Sequence, residues 1–220
     1  MDFESAIRER KSIRAFTGDP IDSEVLRQII NLALQAPSWG NTQPWEVYVV
    51  TGKKLEKIKS ECTKRYERGD PPNPDLALPS SWPSACLERY RSLGKALFEH
   101  IGISRGDHIG RKSHYLKMFN GFGAPVFVYI CLDKQLSNYA LIDVGLFFQT
   151  LCLSATAKGI GTCILTHLVL YSDVVHEELE IPNSKRVVMG AALGRTDMAA
   201  QINHFKSCRE SESVLVKYIC

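Results

Sequence analysis

The sequence predicts a single α+β domain that spans residues 1–220. Stretches with apolar residues at helical spacing alternate with short, almost wholly apolar stretches of strand length, so helices and strands are interleaved along the chain. No repeat, low-complexity tract or linker divides the chain. Of its 220 residues, 45% are hydrophobic and 23% are charged, which is enough apolar material for one sizeable core.

The N-terminal third is predicted to form a helix, an extended segment, a second helix, a strand and a charged helix, over residues 2–9, 10–16, 22–36, 46–50 and 53–68. Acidic residues in the first turn suit the dipole of the first helix. Asp22 or Ser23 is the expected N-cap of the second helix, and Pro37 ends it.

The middle of the chain contains a Pro-rich segment, residues 69–84, which holds five of the ten prolines. Such a segment neither continues a helix nor joins the middle of a sheet. It is either an excursion over the surface or a lid, with Leu78 and Trp82 available for docking. A polar helical zone follows over 85–121 and is interrupted near 102–111.

The C-terminal half alternates a buried strand, an apolar helix, a short strand, a capped helix and a second buried strand, over residues 124–133, 138–159, 161–167, 172–181 and 185–194. The first of these helices is apolar almost all round, which predicts burial in the core or in a subunit interface. The tail, residues 195–220, is polar until its last apolar stretch.

Charge and cysteine content exclude several classes of protein. The net charge is +3 and the pI is about 8.4, without the basic stripe of a nucleic-acid binder. Seven scattered cysteines form no CxxC pair, so neither a zinc site nor a disulfide framework is indicated. No secretory signal and no apolar run of membrane-spanning length is present, so we expect a cytoplasmic protein without a membrane partner.

The sequence lacks the common catalytic and cofactor-binding motifs. The glycines at 159 and 161 lead out of a helix into a strand, the reverse of the dinucleotide-binding order. There is no P-loop, no GxSxG elbow and no HExxH pair among the six histidines. The sequence therefore predicts no catalytic side chain and no metal ligand.

Two stretches do suggest a binding site. In the cationic segment, residues 10–14, the side chains of Arg10, Ser12 and Arg14 project to one face if the backbone is extended, and two guanidiniums with a hydroxyl suit a phosphate. The alternative is a solvated edge strand. The Trp loop, residues 36–45 ("APSWGNTQPW"), is stiffened by two prolines and offers flat apolar and hydrogen-bonding side chains.

Taken with "GIGT" and "AALGRTD" downstream, "RKSIRAF" and "APSWGNTQPW" resemble the nitroreductase-like flavoprotein family over essentially the whole chain. The resemblance implies a central, mostly antiparallel sheet flanked by helices, and a homodimer with FMN at its interface. It also implies a C-terminal extension that reaches the partner subunit. The cofactor-binding residues that it implies are Arg10, Lys11, Ser12, Arg14, Pro37, Ser38, Trp39, Asn41, Asn120, Cys163, Ile164, Leu165, Thr166, Lys206 and Arg209.

The resemblance further implies ping-pong hydride transfer from NADH or NADPH, through FMN, to nitroaromatics, quinones or similar small electron-poor acceptors. The flavin carries the chemistry, and the protein binds and tunes it. Residues 69–121 form the variable lid or substrate region. A reductive dehalogenase of the same fold and a flavin-binding module without turnover are the alternatives.

Overall fold

The centre of the fold is a four-stranded antiparallel sheet. The computed structural model describes all residues, Met1–Cys220. The strand order is β1-β2-β4-β3, with β1 Glu46–Val50, β2 Val126–Asp133, β3 Gly161–Leu165 and β4 Lys185–Gly194. Seven of the eight residues of β2 are buried, because helices cover both faces of this central strand. The predicted α+β fold with an antiparallel sheet is confirmed.

The chain forms eight helices: α1 Phe3–Glu9, α2 Ser23–Ala33, α3 Gly52–Arg68, α4 Ser84–His100, α5 His108–Phe119, α6 Ala140–Ala157, α7 Ser172–Leu179 and α8 Glu212–Leu215. Asp22 is the N-cap of α2, since its carboxylate accepts hydrogen bonds from the amides of Glu24 and Val25. No side-chain cap starts α7, where Ser172 instead lies inside the helix and donates to the carbonyl of Val169.

The core consists of two layers, one on each face of the sheet. Alternation along β2 sends Phe127 and Tyr129 into one layer, beside α3, α5 and α7. Val128 and Ile130 enter the other layer, beside α2 and α6. This arrangement leaves both edges of the sheet, β1 and β3, free for other contacts.

Helix α6 is the one helix whose length and apolar composition would suit a membrane span. The helix packs against α1, α2 and β3, so its apolar composition is that of a core helix. Nine of its 18 residues are buried. The opposite face exposes Ile142 and Leu146, which are 59% and 40% accessible. In the single chain, therefore, only half of this helix is covered.

The extended segment over 10–16 forms no regular strand. Its strand-like pairings are two isolated bridges, from Ser12 to Thr162 and from Phe16 to Thr196. The buried side chains are Ile13 and Phe16, three residues apart, so the strict alternation expected from the sequence is not kept.

The first half of the Pro-rich segment is fixed to the body of the protein. The Asp75 carboxylate accepts hydrogen bonds from the Val187 amide and from His176 Nε2, each at 2.7 Å. The Asn73 amide donates to the carbonyl of Leu170 at 2.8 Å. Residues 77–83 are exposed, with Trp82 stacked on Tyr90 at 6.2 Å. The segment is thus an anchored surface excursion, and its role as a lid stays a prediction.

A tight turn of left-handed residues joins α5 to β2. Gly121, Phe122 and Gly123 have φ values of 54°, 56° and 83°. A Cβ atom on Gly121 would lie 2.1 Å from Cε1 of Phe127, so no side chain fits there without displacing the core. This turn fixes the end of α5 against the sheet.

We expect Gly121→Ala to lower the free energy of unfolding by about 2–4 kcal/mol, through overpacking and the unfavourable φ. The matched control is Gly94→Ala in α4, where nothing lies within 4 Å of the added Cβ. That substitution should leave stability unchanged or raise it by up to about 1 kcal/mol. Urea unfolding of the two variants tests this, and equal stability of both would contradict it.

Candidate functional site

The cationic segment lies along the outer edge of β3. The amide of Ile13 donates to the carbonyl of Thr162 at 2.9 Å, and Ser12 forms a parallel bridge with the same residue. The burial of Ile13 holds the segment down, while Arg10, Lys11 and Arg14 remain half-buried. The fold thus brings this segment beside the predicted ring-lining residues of β3.

The three cations of this segment have no carboxylate partner. No Asp or Glu oxygen lies within 4.0 Å of Arg10, Lys11 or Arg14, whereas Arg8 on the neighbouring helix pairs with Glu4 at 3.1 Å. The Arg14 guanidinium makes one long contact, 3.4 Å to the carbonyl of Ser12. Half-buried, uncompensated positive charge is costly. The arrangement therefore suits an anionic ligand.

Asn203 ties this segment to the beginning of the tail. Its side chain is 2% exposed, accepts from the Arg14 amide at 2.8 Å and donates to the carbonyl of Ala15 at 2.8 Å. Its own carbonyl accepts from Lys11 Nζ. The buried side chain of Asn203 thus fixes the backbone at Arg14, and its main-chain carbonyl holds the Lys11 ammonium.

Strand β3 presents alternate side chains to the site. Ile164, 42% accessible, and Thr166 are exposed, while Cys163 and Leu165 are buried in the core. Burial raises the pKa of the Cys163 thiol to about 11, against a smaller opposite effect of Arg14. Of the four residues predicted here, Ile164 and Thr166 therefore offer side chains to a ligand. Cys163 and Leu165 offer backbone only.

Two histidines lie beside the site, His114 buried and His167 half-buried. Burial lowers the pKa of His114 to about 4, with a further contribution from the positive charge of Arg14. Burial alone lowers the pKa of His167, which follows Thr166, to about 4 as well. Both imidazoles are consequently neutral at pH 7. They add no charge to the cationic site.

The Trp loop lies on the surface and is held by a buried carboxylate. Asp143 of α6, 5% exposed, accepts from the Trp39 amide at 3.2 Å. The Trp39 indole is 69% exposed and packs on Tyr139 at 5.2 Å. Inside the loop, Ser38 Oγ accepts from the Gln43 amide at 2.9 Å. Pro37 and Asn41 are exposed on the same loop.

Three predicted residues are not brought to the cationic segment by any contact within the chain. Asn120 is the exposed C-cap residue of α5. Lys206 and Arg209 belong to the tail, in which no residue from 206 to 220 is buried. The Arg209 guanidinium contacts only its neighbours, including Ser207 Oγ at 2.7 Å. Their place in the site stays a prediction.

Comparison with known proteins assigns the family. The sequence profile of the Nitroreductase family matches residues 7–195. The chain belongs to the nitroreductase family. The chain is 32% identical over 210 residues to 4-nitrobenzoate reductase of Pseudomonas putida, a match that covers 95% of the chain and 92% of the relative. It is also 31% identical to chloronitrobenzene nitroreductase of Comamonas testosteroni, with 92% and 90% covered.

Its fold is similar to solved nitroreductase structures. One is the FMN-dependent nitroreductase NfnB from Mycobacterium smegmatis, determined in complex with NADPH. The TM-score is 0.94 at 27% identity, and the match covers 99% of this chain and 97% of that one. The predicted family and fold are confirmed.

Three residues that lie at or beside the site were not predicted from the sequence. Asn203 and Asp143 are buried polar residues whose partners lie 189 and 104 positions away in the chain. His114 is one of six histidines without a motif. No local pattern marks them, because their roles depend on long-range contacts.

The lowered pKa values of His114 and His167 predict that the stability of the protein depends on pH. Their folded-state pKa, about 4, lies below the ordinary value of 6.5. Between these values the unfolded chain binds more protons, so the free energy of unfolding should fall as pH falls from 6.5 to 4.5. The double variant His114→Gln, His167→Gln should show a shallower fall in denaturant titrations. An unchanged slope would contradict the assignment.

Proposed function

We propose that the protein is an NAD(P)H-dependent FMN oxidoreductase that reduces nitroaromatic and similar electron-poor acceptors. The observation that carries the proposal is the half-buried cationic segment, with three cations and no carboxylate, held on the edge of β3. Family membership and the nitrobenzoate and chloronitrobenzene activities in the names of the relatives support the substrate class. The NADPH complex of a similar structure supports the nicotinamide donor.

The residues present fit FMN. Arg10, Lys11, Ser12 and Arg14 supply guanidinium, ammonium and hydroxyl donors for a phosphate and for polar ring atoms. Ile164 offers an apolar side chain to one face of a flat ring. Lys206 and Arg209, which we propose close on the phosphate, are exposed and have no carboxylate partner in the chain. The donor set therefore matches an anionic, flat, partly apolar ligand.

FMN held by Arg10, Lys11, Ser12 and Arg14 would supply two-electron chemistry, from a nicotinamide hydride to an acceptor that binds after the nicotinamide has left, in a ping-pong cycle. The protein contributes binding and electrostatics. Arg14 supplies fixed positive charge where negative charge develops on the ring during reduction.

We propose a homodimer, supported by an exposed apolar face. Phe3 and Ile7 of α1 are 71% and 47% accessible, and α1 packs on α6, whose Ile142 and Leu146 are also exposed. Exposed apolar faces of this kind mark interaction sites. The Trp loop adjoins α6 through Asp143, so docking of a second copy on this face brings the loop to the partner.

The tail supports the same arrangement. Residues 206–220 bury nothing in their own chain, although they end in the apolar stretch "VLVKYI". We propose that the tail reaches the partner subunit.

The seven free cysteines support a reducing compartment, in agreement with the expected cytoplasmic location.

The acceptor side of the site is proposed to lie within residues 69–111. There Trp82 stacks on Tyr90, and the Arg111 guanidinium lies 4.2 Å from the centre of the Phe98 ring. Flat aromatic surfaces and a cation suit electron-poor aromatic rings and their anionic substituents.

The proposed function is tested with purified protein loaded with FMN. We expect NADPH or NADH to bleach the flavin absorbance anaerobically, and 4-nitrobenzoate to restore it with turnover. Bound FMN that neither nicotinamide reduces would contradict the proposal and favour a binding module. Turnover of halogenated phenols but not of nitroarenes would favour a dehalogenase.

The cationic segment predicts a specific loss of affinity. Arg14→Ala should raise the Kd for FMN about ten- to hundred-fold, because one charge-assisted hydrogen bond contributes about 1.5–3 kcal/mol. Arg8→Ala removes the same charge from a side chain already paired with Glu4 and 78% exposed, so its Kd should stay near the wild-type value. Fluorescence titration measures both, and equal Kd values for the two variants would contradict the site.

A charge placed on the apolar face of α6 should disrupt the proposed dimer. Ile142→Glu should shift the protein from dimer to monomer and release FMN, because it places a carboxylate in an apolar interface. Ile109→Glu in α5 is the control, since that side chain is 85% accessible and lies outside the proposed interface. Light scattering after gel filtration gives the masses. A dimeric Ile142→Glu variant would overturn this interface.

A further inference from the structure

A short helical turn, Gln201–His204, lies between the cationic segment and helix α4. On one side, its buried residue Asn203 accepts from the Arg14 amide and donates to the carbonyl of Ala15, each at 2.8 Å. The main-chain carbonyl of Asn203 accepts from Lys11 Nζ. The turn is therefore held directly to residues proposed to bind FMN.

On its other side, the same turn holds the C-terminal end of α4. The Gln201 side-chain amide donates to the carbonyl of His100 at 2.7 Å, and His100 Nε2 lies 2.8 Å from the carbonyl of Gln201. A carbonyl only accepts, so Nε2 carries the proton of this second bond. The His100 ring also lies 5.6 Å from the ring of Phe205. The two reciprocal hydrogen bonds form the His100–Gln201 clasp.

Helix α4 has little core packing of its own. Of its 17 residues only Leu97 is buried, and the turn Gln201–His204 is the helix or strand element with which α4 makes its most extensive contact. Nearer the start of α4, Arg89 pairs with Glu210 at 2.9 Å. Polar contacts to residues 201–210, more than burial in the core, therefore set where α4 lies.

The position of α4 matters because this helix carries part of the proposed acceptor side. Tyr90, on which Trp82 stacks, and Phe98, over which the Arg111 guanidinium lies, are both residues of α4. Direct contacts thus connect the cationic segment to the acceptor side through one turn.

We propose that His100 and Gln201 are positioning residues for the acceptor, because their clasp fixes α4 relative to the cofactor site. The inference rests on the proposed function. Neither side chain hydrogen-bonds the cationic segment, so loss of the clasp leaves the cofactor contacts in place. An acceptor that meets a displaced α4 loses its productive orientation, and the rate of its reduction falls.

The test uses matched variants of the FMN-loaded protein with 4-nitrobenzoate as the acceptor. Gln201→Met keeps the length of the side chain but removes its donor, and we expect it to lower kcat/KM for 4-nitrobenzoate about two- to ten-fold. The Kd for FMN and the midpoint potential of the flavin should not change. Gln135→Met is the control, since the exposed side chain of Gln135 makes no hydrogen bond and kcat/KM should stay at the wild-type value.

A second pair of variants tests the other half of the clasp. His100→Phe keeps a ring beside Phe205 but cannot donate, so it should lower kcat/KM about as much as Gln201→Met. His100→Gln keeps an N–H donor and should restore most of the wild-type value. His100 is half-buried and Gln201 is exposed, so we expect these variants to fold.

Three results would overturn the inference. One is a wild-type kcat/KM in both Gln201→Met and His100→Phe, and another is a loss in His100→Phe that His100→Gln does not restore. The third is a loss of kcat/KM matched by an equal loss of FMN affinity, which indicates a structural role alone. A wild-type protein that binds FMN but reduces no nitroarene would instead refute the proposed function itself.

Discussion

The structure depends on how the cationic segment is fixed. Ile13 inserts into the core and its amide binds the carbonyl of Thr162 on β3, while Asn203 holds the backbone at Arg14 and Ala15. These contacts keep three cations half-buried without a carboxylate. The fold bears that electrostatic cost because an apolar anchor and a buried amide prevent the segment from leaving the edge of the sheet.

Like the three cations, part of the apolar surface of the chain has no partner within the chain. The two core layers cover both faces of the central strands, but the chain leaves one face of α6 and residues 206–220 uncovered. Uncompensated charge on one edge and uncovered apolar surface nearby are both unfavourable for an isolated chain. We propose that a bound anion and a second subunit resolve the two problems together, so that cofactor binding and assembly are coupled.

The strongly patterned elements could be predicted from the sequence. The helix after Asp22, the buried strand at 126–133 and the apolar helix at 140–157 follow from capping and apolar periodicity. The roles of the β3 side chains could not be predicted without the register of the strand, because Cys163 and Leu165 turn into the core while Ile164 faces out. Asn203, Asp143 and His114 could not be predicted, because each acts through partners far away in sequence.

We propose that the cationic segment recognises the phosphate of the cofactor. The most direct measurement is the ratio of the dissociation constants of riboflavin and FMN for the wild-type protein. The two ligands differ only in the phosphate, so the account predicts that riboflavin binds at least about 100-fold more weakly, with a difference that shrinks as salt is added. Equal affinity for the two ligands would contradict it.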